Sequence, residues 1–395
     1  MKIYNFLTAI SALLLAGAPL SAQTLSPADV AAKILTASPQ THADALGVTS
    51  LAESLKTESN LPDPEIEGEY LFAPSGETNR WGAGISWGIE WPGVYSARKN
   101  DAKGKLAAAE AAAEAARQER LIEIKRLLLD YVLVEKQLAV LKEVGNANDS
   151  IMLLSKKAEG HGEMTRLDIN KLKLEQASLN SNMAGLLNDR AETITALDML
   201  YGADCSPLLK EMVCEFPDVS LPMDKWEVLQ SPSVVAANAE AEASKGALKI
   251  ASAESYPGLS IGYQHAFEEG VHFNGASVGI SIPVFSSRNK KTAAKAAIAE
   301  AEYKVEMAKA DAESEVAGSV KKIAILSRQI DEMSPVVENP ENTTMLMKAY
   351  RGGIITLIDY LNERNYFTNA TLELITLRHS AATALLNLQR HYPRK

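Results

Sequence analysis

The chain is short of the residues that most chemistry needs. It has six histidines, and four of them, His42, His161, His379 and His391, show no metal-ligand spacing. It has no phosphate-binding loop, so energy for any transport would have to come from a partner. It has no excess of positive charge: 40 Lys and Arg stand against 50 Asp and Glu, a net charge of −10 that becomes −11 once Lys2 is removed with a leader. That balance argues against a nucleic-acid partner. After Ala22 no run is long and apolar enough to be a spanning helix. A membrane location would therefore have to be reached with strands.

The first 22 residues carry one charge, Lys2, then an apolar run from Phe6 to Ala18 and a small-residue end at Ser21-Ala22. This is the layout of a secretory signal peptide, residues 1–22, and the run is too short for a membrane helix. No cysteine lies near the cut to take a lipid. The two cysteines, Cys205 and Cys214, have eight residues between them. In an exported chain this pair is expected to form a disulfide, worth roughly 2–3 kcal/mol in the loop-entropy model.

What the chain does have is the stretch Trp81 to Trp91, WGAGISWGIEW, which holds three of its four tryptophans. In strand alternation Trp81, Ala83, Ile85, Trp87, Ile89 and Trp91 share one face, and Gly82, Gly84, Ser86, Gly88 and Glu90 the other. One face wholly apolar and half tryptophan suits a strand with lipid on one side and a lumen on the other. About 9–11 residues suffice to cross a bilayer at a tilt, and the Trp rings would mark its interfaces. Ile66, Gly68, Tyr70 and Phe72 repeat the code against Glu67, Glu69 and Leu71.

The second half repeats the first. Leu259, Ile261, Tyr263 and Phe267 oppose Ser260, Gly262, Gln264 and Ala266; Ala276, Val278, Ile280 and Ile282 oppose Gly275, Ser277, Gly279 and Ser281. Pro39 to Pro232 and Pro64 to Pro257 are offset by 193, while Ser86 to Ser277, Pro92 to Pro283 and Asp168 to Asp359 are offset by 191. The two-residue change falls in the strand-connecting turn, where a deletion is tolerated. The chain thus divides into residues 23–200 and 231–392, each a helix, two strands and a long helical hairpin, with 201–230 as the join.

Between Leu121 and Leu141, apolar residues at Leu121, Ile124, Leu128, Tyr131, Val134, Leu138 and Leu141 keep steps of three and four, a stripe that wants a partner helix. Val316, Val320, Ile323, Leu326, Ile330 and Met333 match it in the second copy. A helix from Ser96 to Ala158 would be about 95 Å long and must project from whatever the strands form, with kinks expected near Gly145, Pro335 and Pro340. Each hairpin turns at a matching place, Gly162-Glu163-Met164-Thr165-Arg166-Leu167-Asp168 and Gly353-Ile354-Ile355-Thr356-Leu357-Ile358-Asp359. Gly ends one helix, Thr caps the next, and Asp sits in its first turn.

Four membrane strands cannot close on themselves, and an open sheet edge in hydrocarbon leaves backbone groups unpaired. Other copies must complete the barrel. A dimer would give eight strands and a filled interior, a trimer twelve and a lumen; the small inward residues suit a lumen.

These residues together resemble the outer membrane efflux proteins of the TolC type, over about Ser38 to His391. The marks are Ile282-Pro283-Val284-Phe285 before an Ala-rich helix, the Tyr350 to Leu361 turn YRGGIITLIDYL, and Tyr256-Pro257-Gly258-Leu259-Ser260 opening a strand. The resemblance implies an α+β membrane protein: a homotrimer with a 12-stranded outer-membrane barrel on a 12-helix periplasmic tunnel, serving an inner-membrane pump and a periplasmic adaptor. It implies that the hairpin tips close the periplasmic end, with Tyr350 and Asp359 at positions of that closed end. Asn362 stands where members can carry a further carboxylate, and Ile355 where some carry Arg.

Two segments, Gly84-Ile85-Ser86-Trp87-Gly88 and Gly275-Ala276-Ser277-Val278-Gly279, match the G-x-S-x-G pattern of a hydrolase nucleophile. That motif needs its Ser on a strand-to-helix turn, whereas both lie inside alternating strands, and no enzymatic activity is expected. No cofactor is expected either. His265 and His272, with Glu268 and Glu269 between them, flank a turn that is either a weak metal site or a solvated loop. A periplasmic coiled-coil adaptor without membrane strands is the competing reading; it fits the helices and fails on the Trp81 to Trp91 face.

Overall fold

A computed structural model describes residues 25–74, 79–159, 165–219, 228–339 and 341–392. The expected signal peptide and Gly162 lie outside the described residues. Helix α1, Pro27–Ala37, opens on a capping box in which Ser26 and Asp29 exchange side-chain and backbone hydrogen bonds. Its apolar face buries Val30, Ala31, Ile34 and Leu35. Helix α2, Pro39–Thr57, follows at once, and Pro39 at its first position fits there because that amide has no helical partner. The sequence reading begins its first helix at Ser38-Pro39 and misses α1.

Strands β1, Glu65–Leu71, and β2, Arg80–Ile89, lead into α3, Pro92–Glu159. At 68 residues, α3 is about 100 Å long, and it runs through Gly145 without the expected break. Helix α4, Arg166–Tyr201, returns and stops at Gly202, whose φ of +78° is open to glycine at little cost. A short helix α5, Ser206–Glu211, and a single 3₁₀ turn at Val228–Gln230 precede α6, Pro232–Ala253. The second copy continues with β3, Gly258–Glu268, and β4, Val271–Ser281, then α7, Lys290–Val337, α8, Glu341–Arg351, and α9, Leu357–His391. Pro335 lies inside α7, two residues before its end, and takes one backbone donor from its last turn.

The strands form one antiparallel sheet in the order β1-β2-β3-β4. The two hairpins are joined by β2 and β3, which pair over Trp81↔Phe267 to Ile89↔Leu259. The helices below repeat that order: α2 packs on α3, α3 on α6, and α6 on α7. Farther along, α9 takes the place of α6, with α3 and α4 on one side and α7 and α8 on the other. The expected stripe is the seam, since Ile124, Leu128, Val134, Leu138 and Leu141 are buried. In the second copy Val316 and Ile323 pack with Ala384, Leu385 and Leu388.

The stretch 201–230 is packed where it is described. Cys205, Leu209 and Met212 join α1, α3 and α4 in the main core cluster, and Met212 forms a parallel bridge with Leu25. The expected Cys205–Cys214 disulfide is not formed; both are free thiols. Helix α5 takes up six of the eight intervening residues, and each thiol turns to its own carbonyl, Cys205 to Ile194 and Cys214 to Met212.

Candidate functional site: the sheet faces and the helical tips

The register builds two unlike faces. On one, Ile66 pairs with Ile85 and Ile85 with Tyr263; Trp87, Ile261 and Val278 form the next row, and Ile89, Leu259 and Ile280 the one after. These side chains stand in the open: Val278 is 78% exposed, Ile280 65% and Ile85 46%. Leaving so many large aliphatic side chains in water is costly at about 25 cal/mol per Å², and a continuous patch of this kind marks an interaction face. Aromatic rings close the face at both ends. Trp81 stacks on Phe267 at 5.9 Å, and Trp91 on Tyr256 at 5.7 Å. Trp87 donates its indole N–H to the Pro62 carbonyl at 2.7 Å. The ten residue steps from Trp81 to Trp91 span about 33 Å, or about 25 Å at a barrel strand's tilt, the height of an outer-membrane apolar band. Trp91 and Ile282, expected within the strands, lie just beyond the ends of β2 and β4.

The other face is small and polar. Ser86, Gly262 and Ser277 share a row, and Gly88, Ser260 and Gly279 the next. A Cβ at Gly262 would meet Ser277 Oγ at 2.6 Å and the Ile85 carbonyl oxygen at 2.9 Å, so the serines occupy the space the glycines leave. Ser86 and Ser277 are mid-strand, without the turn into a helix that a nucleophile elbow requires. Glu65, Glu67 and Glu69 line this face on β1.

His265 Nδ1 donates to Asn274 Oδ1 at 2.7 Å, and its Nε2 meets His272 Nδ1 at 3.3 Å. The alternation of β3 puts His265 on the Trp81 side and Glu268 on the opposite side, where it approaches Arg80 at 3.8 Å. The two histidines and the glutamates therefore do not converge, and no group of three or more His, Cys, Asp or Glu able to hold a metal occurs among the described residues. Below the sheet Arg98 bridges Glu90 at 2.7 Å and Glu254 at 3.5 Å, and Lys290 holds Glu254 at 2.6 Å. These pairs tie both repeats together where strands pass into helices.

At the far end the two capping motifs have the same geometry. Thr165 Oγ1 donates to Asp168 Oδ2 at 2.6 Å and accepts from the Asp168 amide at 3.2 Å. Thr356 and Asp359 repeat both distances. The Thr356 hydroxyl and amide hold the Asp359 carboxyl below the usual carboxylate range. Gly353 supplies the left-handed turn, φ +70°, between α8 and α9. The Tyr350 ring lies tilted against Tyr360 with centroids 5.2 Å apart; burial, reinforced by the charge of Asp168, pushes its hydroxyl pKa up. Ile355 packs against the apolar cluster of Ile151, Leu172, Leu357, Tyr360 and Leu361, which is how an aliphatic side chain is accommodated there. Asn362 is exposed.

Two buried polar groups escape sequence reasoning. Ser231 and Glu315 hold opposite nitrogens of His391, at 3.0 and 2.8 Å. Arg364, 6% exposed, donates to Asn148 Oδ1 at 2.6 Å. Both link residues far apart in the chain, and no local spacing signals them.

No curated protein matches the sequence. The fold is that of known channels. A membrane protein from Pseudomonas aeruginosa superposes with a TM-score of 0.76 at 16% identity, over 92% of this chain and 92% of that one. The CmeC outer membrane channel of Campylobacter jejuni gives 0.76 at 17%, over 92% and 85%, and the outer membrane protein VceC of Vibrio cholerae 0.72 at 19%, over 92% and 94%. The α+β architecture of long helices and a four-stranded sheet is thus shared along nearly the whole length. Residues 227–391, essentially the second repeat, match the family model of the outer membrane efflux proteins.

Proposed function

We propose that the chain is the exit duct of an export system in the outer membrane, working as a homotrimer. The observation that carries this is the sheet: one face apolar and exposed, the other lined by Gly and Ser, with β1 and β4 both left as edges. In lipid those edges must be paired, and pairing β4 of one copy with β1 of the next around a three-fold axis gives twelve strands and a lumen. Lipid would cover Trp81, Ile85, Trp87, Ile89, Trp91, Val278, Ile280 and Ile282. The helices would continue the wall as a periplasmic tunnel that ends at Thr165, Asp168, Tyr350, Gly353, Thr356, Asp359 and Asn362, with Gly162 beside them in the sequence. We assign these residues to the gate. A periplasmic adaptor and an inner-membrane pump would open it, and conduction itself would be passive, with no catalytic or cofactor chemistry. The domain reading follows: a leader over 1–22, repeats over 23–200 and 231–392, and the join 201–230.

The purified protein in detergent should run as a trimer and form pores in planar bilayers. A monomer without conductance, found in the soluble periplasm, would instead favour the coiled-coil adaptor reading, which leaves the exposed face of β2 to β4 without a purpose.

A further inference from the structure

Arg364 is the one arginine or lysine that is more than nine-tenths buried among the described residues. It sits on α9 and faces Asn148 on α3, so the contact joins the two repeats. Its Nη1 is used by Asn148 Oδ1, its plane lies 5.6 Å from the Tyr360 ring, and its Nε and Nη2 have no hydrogen-bond partner. Asn148 Nδ2 is unpaired as well. The Tyr360 hydroxyl and the Glu175 carboxylate on α4 act on its charge, and that carboxylate accepts from the Asn365 amide. A guanidinium stays protonated in proteins, so a buried positive charge keeps two donor groups without a partner. Such a charge is stabilised when an acceptor anion reaches it.

Beside it runs a groove of about 480 Å³ between α3, α8 and α9, and Arg364 is part of its wall. Val144, Met347 and Phe367 give the groove an apolar body, while Lys348 and Arg351 add positive charge and Glu143 a single negative one. We propose that this groove is a binding site for an amphiphilic organic carboxylate, whose charge is received by Arg364 and whose hydrocarbon part lies against the apolar wall. The unpaired Nε and Nη2 are two parallel donors, the arrangement that suits the two oxygens of a carboxylate. A ligand seated there would connect α3 of the first repeat to α8 and α9 of the second.

The test uses the full-length protein in amphipol, with 4-phenylbutyrate and its neutral analogue 4-phenylbutanamide as probes in calorimetric titrations. The wild type should bind the acid about tenfold more tightly than the amide, the difference between a charged and a neutral hydrogen bond at a buried site. Arg364→Met should abolish that preference. Asn148→Asp places a carboxylate against Arg364 from within, so it should also abolish the preference while raising the melting temperature; this variant decides the matter if Arg364→Met does not fold. Equal affinity for acid and amide, no binding of either, or a preference that survives Asn148→Asp and disappears only in Lys348→Ala or Arg351→Ala would each overturn the proposal.

Discussion

Asp101 on α3 occupies the space that a side chain at Gly246 on α6 would need. A Cβ built at Gly246 would stand 2.9 Å from the Asp101 Cα and closer still to its carboxylate, which is buried and held by Lys105 at 2.8 Å. Gly104 and Ala243 repeat the close approach one turn along, with a Cβ at Gly104 lying 3.3 Å from the Ala243 Cα. The two repeats meet here below the sheet, so one methyl group has to push whole helices apart. Gly246→Ala should destabilise the protein by about 1–3 kcal/mol, the usual cost of overpacking, although alanine is the better helix former. Thermal melting by circular dichroism checks this; an unchanged or raised melting temperature would show that the crossing has slack.

The two sheet faces should answer oppositely to charge. Ile280→Lys, in the exposed apolar row with Ile89 and Leu259, should cost about 2–4 kcal/mol if it faces mid-bilayer hydrocarbon and should remove the protein from the outer-membrane fraction. Gln264→Lys, on the Gly and Ser face opposite Gly84 and Gly275, should assemble normally and lower the conductance to cations. If both variants behave alike, the faces do not separate lipid from lumen.

Much of this layout is legible in the sequence because it depends on short periods. Alternation fixes which side of β2 carries Trp81 and Ile85, and the 191-residue offset aligns Asp168 with Asp359 before any coordinates. The capping box at Ser26 and Asp29 was equally open to reading, through the same acid three residues after a hydroxyl that marks Thr165 and Thr356. Other features depend on tertiary packing. Eight intervening residues made a Cys205–Cys214 bond reasonable until α5 coiled between them, and nothing around Arg364 forecasts burial against Asn148, 216 residues away. His265 and Glu268 are close in sequence, yet a strand sends neighbours three apart to opposite faces.

The gate assignment predicts a local effect at the tip. Thr356→Ala removes the hydroxyl that receives the Asp359 amide and should weaken the first turn of α9 by about 1 kcal/mol. Amide exchange over 357–361 should quicken about fivefold, and open events in bilayer recordings should become more frequent. Faster exchange without a change in opening would make the motif a helix cap with no part in gating.

The thiols give an independent check on the core. Burial first, and then the Asp198 carboxylate, push the Cys205 pKa up to about 12, and the side chain has no exposure. Burial also raises the Cys214 pKa. Protein isolated without reductant should carry two free thiols by mass spectrometry. Cys205 should resist alkylation at pH 8 until the chain is unfolded, because the thiolate is the reactive form. A mass two units lower, from a closed disulfide, would mean that the ends of α5 come together in a way the present packing excludes.

Acid should act through the carboxylate that joins α7 to α9. Arg378 grips Glu338 with two hydrogen bonds, Nη1 to Oε1 at 2.6 Å and Nη2 to Oε2 at 2.9 Å, and also holds Ser334 at 3.1 Å. That grip lowers the Glu338 pKa below its ordinary value of 4.5. A carboxyl depressed in the folded state adds stability above its unfolded pKa and loses it as pH falls through the folded one. The pair is half exposed, so its whole contribution should be about 0.2–1 kcal/mol. Glu338→Gln should therefore lower the melting temperature slightly, by an amount constant from pH 8 to about pH 5, and the gap to the wild type should close below about pH 4. A gap that persisted in acid would trace to lost packing around Arg378, since by then the wild-type carboxyl is protonated and its ion pair gone.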